Sequence, residues 1–239
     1  MNRMKVLITS TSFQDTPGDH HEYLNKMNWK VDYLRGPLDS KELIPVVGLY
    51  SGIICGDDEF NKEVLDAAKN GKTKGISKYG VGVDKIDINY ANLHKIEVKN
   101  CAGINIDSVA EHVFSLLLCF KKNIHLEYIK TKSGKWPRTL GGEINGSNFG
   151  VLGLGNIGKK VAILAKSFGC NVYFFDKSDN MIFPNKYGLI KCNSIEELFK
   201  TMDIISIHMN LNDRNIGIIS KNLIEEHTKY GIIIINTSR

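Results

Sequence analysis

Residues 148–158 read Asn-Phe-Gly-Val-Leu-Gly-Leu-Gly-Asn-Ile-Gly, and Asp176 stands eighteen residues beyond the last glycine. The apolar run 149–152 predicts a buried strand. Residues 156–168 predict a helix, and 171–175 a second strand that ends at Asp176. A strand running into Gly153-Leu154-Gly155-Asn156-Ile157-Gly158 and then a helix, with an acid after the next strand, is the fingerprint of a dinucleotide site. Each part has a physical reason. Gly153 permits a tight turn, Gly155 lets a pyrophosphate approach the backbone, and Gly158 lets helix and strand pack closely. The free N–H groups near Asn156 and Ile157 offer partial positive charge to phosphates. Asp176 can accept from both ribose hydroxyls and would repel a 2′-phosphate, so NAD is expected over NADP. Lys177 beside it is the one local cation that opposes this preference.

Working outward, residues 194–200 predict a helix capped by Ser194, with Glu197 three positions on. A strand follows over 204–208, a helix over 220–227 and a strand over 231–236. Towards the N-terminus, strands are expected at 5–9, 52–55 and 75–77, with an apolar run at 46–50 read with the second of them. Helices are expected at 19–27 and 61–70. Strand and helix alternating at this rhythm give parallel sheets. The fold class is therefore α/β, with two successive Rossmann-like domains, 1–100 and 101–239. Between the two patterns a long apolar helix is expected from Ser108 to Lys122, capped by Asp107 or Ser108. Its apolar surface is broad enough to demand burial between layers or against a second subunit. The stretch 131–148, with Trp136-Pro137, reads as a loop with a hairpin.

Composition excludes several classes. The 31 basic and 26 acidic side chains give a net charge of +5, and 42% of residues are hydrophobic, as in ordinary globular chains. No apolar run reaches the ~20 residues that a membrane span needs, so a cytoplasmic location is the default. Of the cations 26 are Lys and 5 Arg, scattered along the chain, which argues against nucleic-acid recognition. The five cysteines (Cys55, Cys101, Cys119, Cys170, Cys192) contain no C-x-x-C pair, so reduced, buried thiols are expected. No metal site is expected. His20-His21-Glu22 reads as a solvated loop, and His94, His125 and His227 have no partner pattern.

Further motifs stand in order: Gly80-Val-Gly-Val-Asp-Lys-Ile-Asp87, Val109-Ala-Glu-His112, Trp136-Pro-Arg138, the glycine loop, residues 206–219, and Asn236-Thr-Ser-Arg239. With these the sequence resembles the D-isomer-specific 2-hydroxyacid dehydrogenases, from near residue 5 to the last residue. The resemblance implies a flavodoxin-like substrate domain over 1–100 and an NAD-binding domain over 101–239. It implies that Tyr79, Gly80, Val81 and Gly82 bind substrate, with N–H groups of Val81 and Gly82 on its carboxylate. Arg239 would hold a 2-oxo acid and polarise its carbonyl, with Thr237 and Ser238 near the nicotinamide. His208 would line the adenosine side, where Asn210 replaces a usual proline. His112 would be a packing residue. The loop Cys55-Gly-Asp-Asp58 falls where relatives touch substrate, but Asp57 and Asp58 read as a solvated turn.

The family also implies a glutamate and a general-acid histidine beyond Arg239, for which this sequence has no matching segment. The expectation is a fragment, with the second domain incomplete at its C-terminus and the substrate domain lacking a returning tail. Such a chain would bind NAD weakly or not at all and have negligible turnover. The alternatives are a non-catalytic NAD-binding regulator and a degenerate gene product. The expected partners are a small 2-oxo or 2-hydroxy acid and a second copy docked through 108–122.

Overall fold

Two runs of strand-forming sequence each build their own sheet, so the chain divides into units Met1–Gly103 and Ile104–Arg239. The computed structural model describes residues 3–136, 138–212 and 214–238. The first unit runs β1 (Lys5–Ile8), α1 (Thr11–Asp15), α2 (Asp19–Lys26), β2 (Lys30–Tyr33), α3 (Ser40–Val47) and β3 (Gly52–Cys55). It continues through α4 (Lys62–Asn70), β4 (Gly75–Lys78), α5 (Ile88–Leu93) and β5 (Glu97–Asn100). Its strands are parallel in the order β2-β1-β3-β4-β5. Leu7, Ile53 and Ile76 lie side by side across the centre and are nearly inaccessible. One face packs on Leu43, Val47, Val64, Leu65 and Ala68 of α3 and α4. The other packs on Phe13 and Leu24 of α1 and α2.

The second unit runs α6 (Ile106–Lys121), α7 (Ile124–Lys132), β6 (Asn148–Leu152), α8 (Asn156–Ser167), β7 (Asn171–Phe175) and α9 (Ile182–Tyr187). It ends with β8 (Ile190–Lys191), α10 (Ile195–Thr201), β9 (Ile204–Ile207), α11 (Lys221–His227) and β10 (Ile233–Asn236). The parallel order is β10-β9-β6-β7-β8. Helices α6 and α8 bury Val113, Phe114, Leu117, Val161 and Ala165 on one face. Helices α10 and α11 bury Leu198, Phe199 and Leu223 on the other. In both units the strand order reverses beside the first strand, the arrangement that opens a ligand crevice at the carboxyl ends of the strands.

Several local expectations need correction. The apolar run 46–50 is the end of α3 and the turn after it, not strand. A capping box between Asp39 and Glu42 starts that helix and turns Leu43 and Val47 inward. Helix α6 begins at Ile106, after Asn105, so neither Asp107 nor Ser108 caps it. Asp107 instead pairs with Lys160 of α8 at 2.6 Å. This helix buries one face only, leaving Leu116 and Phe120 exposed. No hairpin forms among the described residues of 131–148; α7 occupies the start of that stretch. The Ser194 cap forms, its Oγ accepting from the Glu197 N–H at 3.1 Å. Cys55, Cys170 and Cys192 are buried, whereas Cys101 and Cys119 are partly accessible.

Candidate functional site

The carboxyl edge of the second sheet gathers most of the residues singled out from sequence. Leaving β6, Gly153 takes φ +93°. A Cβ there would lie 2.8 Å from the His208 carbonyl oxygen, and one on Gly158 would collide with the Gly153 carbonyl. Both positions are closed to side chains. Gly155 differs: a Cβ on it meets nothing within 4 Å, so it faces open space. It is also the N-cap of α8, with no side chain bonded to the first-turn N–H groups. Leu154 is buried and Ile157 packs on the core, so Asn156 is the side chain of the turn left facing solvent.

Asp176, just past β7, braces this loop. Its Oδ2 accepts from the Leu154 N–H at 2.6 Å and its Oδ1 from the Ser178 N–H at 2.7 Å. A carboxylate has about four lone-pair sites, so acceptor capacity is left over. His208 follows β9, with its Nε2 2.8 Å from Ser206 Oγ. Burial pushes the imidazole down to about 4, so it is neutral at pH 7. After β10, Ser238 turns back onto Asn236, both its N–H and its hydroxyl donating to Asn236 Oδ1. Thr237 Oγ1 is buried without a hydrogen-bond partner among the described residues. Arg239 lies outside the described residues. An open glycine, an uncapped helix start, a spare carboxylate face and an orphaned hydroxyl on one edge fit a polar, phosphate-bearing dinucleotide.

The carboxyl edge of the first sheet is finished differently. Asp58 is fully buried and accepts from Thr9 Oγ1 at 2.6 Å, Leu38 N–H at 2.7 Å and Gly56 N–H at 2.8 Å. It ties three loops together, so the reading of a solvated turn is wrong for this residue. Asp57 pairs with Lys78 Nζ at 2.6 Å, and Lys78 also donates to the Gly56 carbonyl. Lys78 was missed by sequence reasoning, although the strand period gives a signal. It shares the face of buried Ile76 two positions earlier.

Tyr79 packs its ring on Phe13 and His20, with centroids 5.3 and 5.9 Å away. His20 and His21 are therefore not a solvated loop. They sit on α2, half-buried, each with its Nε2 3.1 Å from a backbone carbonyl, of Phe13 and Thr16 respectively. Gly80 takes φ +153°, and Asn100 Nδ2 donates to the Val81 carbonyl at 2.7 Å. Among the described residues no acceptor takes the Val81 or Gly82 N–H. Cys55, beneath this edge, is pushed up to about 12 by burial and is inert as a nucleophile.

The family model described as D-isomer specific 2-hydroxyacid dehydrogenase, NAD binding domain, matches residues 114–239. The chain belongs to this dehydrogenase family. Its second unit is an NAD-binding domain, and the glycine loop and Asp176 lie within the matched residues. Among curated relatives, D-3-phosphoglycerate dehydrogenase of Archaeoglobus fulgidus is 34% identical over 239 residues, covering 99% of this chain and 44% of that protein. Hydroxypyruvate reductase of Thermotoga maritima is 32% identical over 200 residues, covering 83% of this chain and 62% of that protein. The chain thus spans less than two thirds of either relative. Among solved structures, D-lactate dehydrogenase from Aquifex aeolicus, complexed with NAD and lactic acid, superposes with TM-score 0.84 at 28% identity. It covers 98% of this chain and 69% of that one. The TT0316 protein from Thermus thermophilus gives TM-score 0.84 at 29% identity, covering 99% of this chain and 74% of that one.

Three further histidines have other surroundings. His112 is exposed on α6 rather than packed, because the buried face of that helix runs through Ala110, Val113 and Leu117. His94 rests on the Tyr90 ring at 4.5 Å. His125 lies 3.9 Å from the Cys119 thiol. Among the described residues no group of three or more His, Cys, Asp or Glu could hold a metal ion. Nor is any helix among them long and apolar enough to cross a membrane.

Proposed function

We propose that the chain serves an NAD-dependent oxidoreductase acting on the CH–OH group of a D-2-hydroxy acid, or in reverse on the 2-oxo acid. The observation that carries this is the second sheet's edge. One loop there combines an open Gly155, an uncapped α8 and the Leu154–Asp176 bond, within residues matching the family's NAD binding domain. When bound, the dinucleotide supplies hydride chemistry. Gly153, Leu154, Gly155, Asn156, Ile157 and Gly158 form the loop that meets its pyrophosphate, with the uncapped N–H groups at the start of α8 turned to the phosphates. Asp176 takes the ribose hydroxyls and prefers NAD to NADP. His208, neutral, borders the adenosine side. Thr237 and Ser238 border the nicotinamide.

In this proposal the first unit is the substrate domain. The Val81 and Gly82 N–H groups hold the acid's carboxylate, in a turn shaped by Gly80 and by the packed Tyr79 ring. Arg239 orients the 2-oxo acid and polarises its carbonyl. The 239 residues alone bind cofactor more readily than they turn over. Among the described residues, the histidine at the cofactor edge is held neutral by burial and bonded to Ser206, which suits packing better than proton donation. Titrating the chain with NADH by fluorescence transfer, then adding glyoxylate, hydroxypyruvate or pyruvate, tests both halves. Weak but saturable NADH binding with negligible oxidation is expected. Absence of binding overturns the cofactor reading, and appreciable oxidation overturns the expected inactivity.

We place the protein in a reducing, cytoplasmic compartment, in keeping with its free thiols. A second copy is its expected protein partner. Leu116 and Phe120 on α6 are exposed, and α7 buries none of its residues, leaving Ile124, Tyr128 and Ile129 accessible. Light scattering should report a dimer that Leu116→Glu with Phe120→Glu converts to monomer; a monomeric parent protein would end this reading.

A further inference from the structure

The first unit's carboxyl edge carries an ion pair that the proposed reaction does not use. Strand β4 sends Lys78 into that edge, where its side chain is 6% exposed. Two of the ammonium's three donors are taken, by the Gly56 carbonyl and by Asp57 Oδ1. The end of the side chain lies under the Gly80 turn, with Cε 3.5 Å from where a Gly80 Cβ would stand. The next two N–H groups, of Val81 and Gly82, are those proposed to hold a carboxylate. A further acid, Asp84, reaches within 3.1 Å of a Cβ built on Gly82. Buried Asp58 follows Asp57 in the same loop. Of these three carboxylates only Asp57 touches the ammonium; Asp58 and Asp84 add negative charge to the two loops that carry the pair and the turn. The histidines on this edge, His20 and His21, each have a ring nitrogen on a backbone carbonyl.

Charge then decides which acids this edge accepts. A small 2-oxo acid brings one carboxylate, which a pair of N–H groups can hold. A phosphorylated acid brings a second group with a charge of about −1.5 to −2, and such a group needs a cation with donors to spare. Here the candidate cation is already balanced by Asp57, with Asp58 and Asp84 as further acids on the same loops. We propose that Asp57 is a specificity-determining residue. By holding Lys78 it turns the site away from acids with a second anionic group and selects monoanionic 2-oxo acids such as glyoxylate, pyruvate or hydroxypyruvate. This rests on the reading of the first unit as the substrate domain.

The test is carried out on the whole chain saturated with NAD, following the Val81 and Gly82 amides by NMR. The probes are hydroxypyruvate and 3-phosphohydroxypyruvate. The parent protein should bind hydroxypyruvate at least about tenfold more tightly. Asp57→Asn should move that ratio about tenfold towards the phosphorylated acid, by releasing the ammonium. Adding Lys78→Met to Asp57→Asn should cancel the gain, which a merely structural role for Asp57 does not predict. Asp57→Ser makes the same comparison if the asparagine variant melts without cooperativity. Tighter binding of the phosphorylated acid by the parent, or an unchanged ratio in a well-folded Asp57 variant, overturns this inference alone. If neither acid moves the two amides in any variant, the substrate-domain reading falls and takes the inference with it.

Discussion

The two sheets share five parallel strands and a reversal of order beside the first strand, yet their carboxyl edges are completed by opposite means. In the first unit, side chains fill the edge. Asp58 satisfies Thr9, Leu38 and Gly56, and Lys78 joins Asp57 to Gly56. In the second unit, glycine keeps the edge empty. Gly153 and Gly158 draw the backbone close, Gly155 faces open space, and the Thr237 hydroxyl is left without a partner among the described residues. An edge whose polar groups bond one another is tied down and discriminates by charge. An edge whose donors are unspent waits for a ligand to complete them. Substitutions on the first edge should therefore be read in stability or selectivity, and those on the second in cofactor affinity.

The largest expected effect is on the closed edge. Asp58→Ala strands two buried N–H groups and a hydroxyl, and should cost about 3–5 kcal/mol in urea unfolding. A loss below about 1 kcal/mol would return Asp58 to the class of solvated turn residues and break the contrast. Next comes the pH response of the open edge. His208 is held to about 4 in the folded state, below its ordinary 6.5, because burial penalises the charged ring. The unfolded chain therefore takes up the proton first. This group has no effect on stability above pH 6.5. It destabilises progressively as pH falls from 6.5 to about 4, and the loss then levels off at up to about 3 kcal/mol. His208→Gln should remove that slope, measured as the difference between the two proteins' melting profiles from pH 7 to 4. Equal slopes would show that the ring is solvated.

How far each edge could be read in advance follows from the range of its constraints. The glycine loop is a local device: turn, close approach and helix start fall within six residues, and Asp176 follows one strand later. Those requirements are written in neighbouring positions. The first edge is assembled from distant ones, since Asp58 meets Thr9 across 49 residues and Lys78 meets Asp57 across 21. No spacing rule announces such pairs, which is why Asp58 was mistaken for a surface residue and Lys78 overlooked. The same logic explains the missed strands. β2 and β5 lie at the sheet's margins with no fully buried residue, so they lack the apolar run by which β1, β3 and β6 are recognised. The α6 start was misplaced because Asp107 has a competing partner in Lys160, on a helix far along the chain.

A sharper test within the open edge uses a glycine that nothing crowds. Gly155 has φ −70°, so a side chain there is unstrained, and an added Cβ meets no atom within 4 Å. Gly155→Val should lower stability by no more than about 1 kcal/mol. It should nevertheless weaken NADH binding about a hundredfold, because the side chain would occupy the space in front of the α8 N-terminus. Parallel melting curves and NADH titrations measure the two effects. Undiminished binding would move the phosphates away from this loop.

The smallest effect tests the comparison most closely, because it places the same kind of group on both edges. Asp58 and Asp176 are both carboxylates fixed by backbone N–H groups, but Asp58 has no exposed surface while Asp176 remains partly accessible. Asp176→Asn keeps an oxygen for the Leu154 N–H and loses the charge proposed to face a ribose. Melting should change little, since the Ser178 N–H that loses its acceptor can turn to water. NADH affinity should fall about tenfold, the usual worth of a charge-assisted hydrogen bond. NADPH, no longer repelled, should lose less or gain, so the NADH-to-NADPH affinity ratio is the decisive quantity. A large fall in stability with an unchanged ratio would mean that Asp176, like Asp58, is spent on its own fold, and the open edge would then have to find its cofactor selectivity elsewhere, with Lys177 the charged neighbour in sequence.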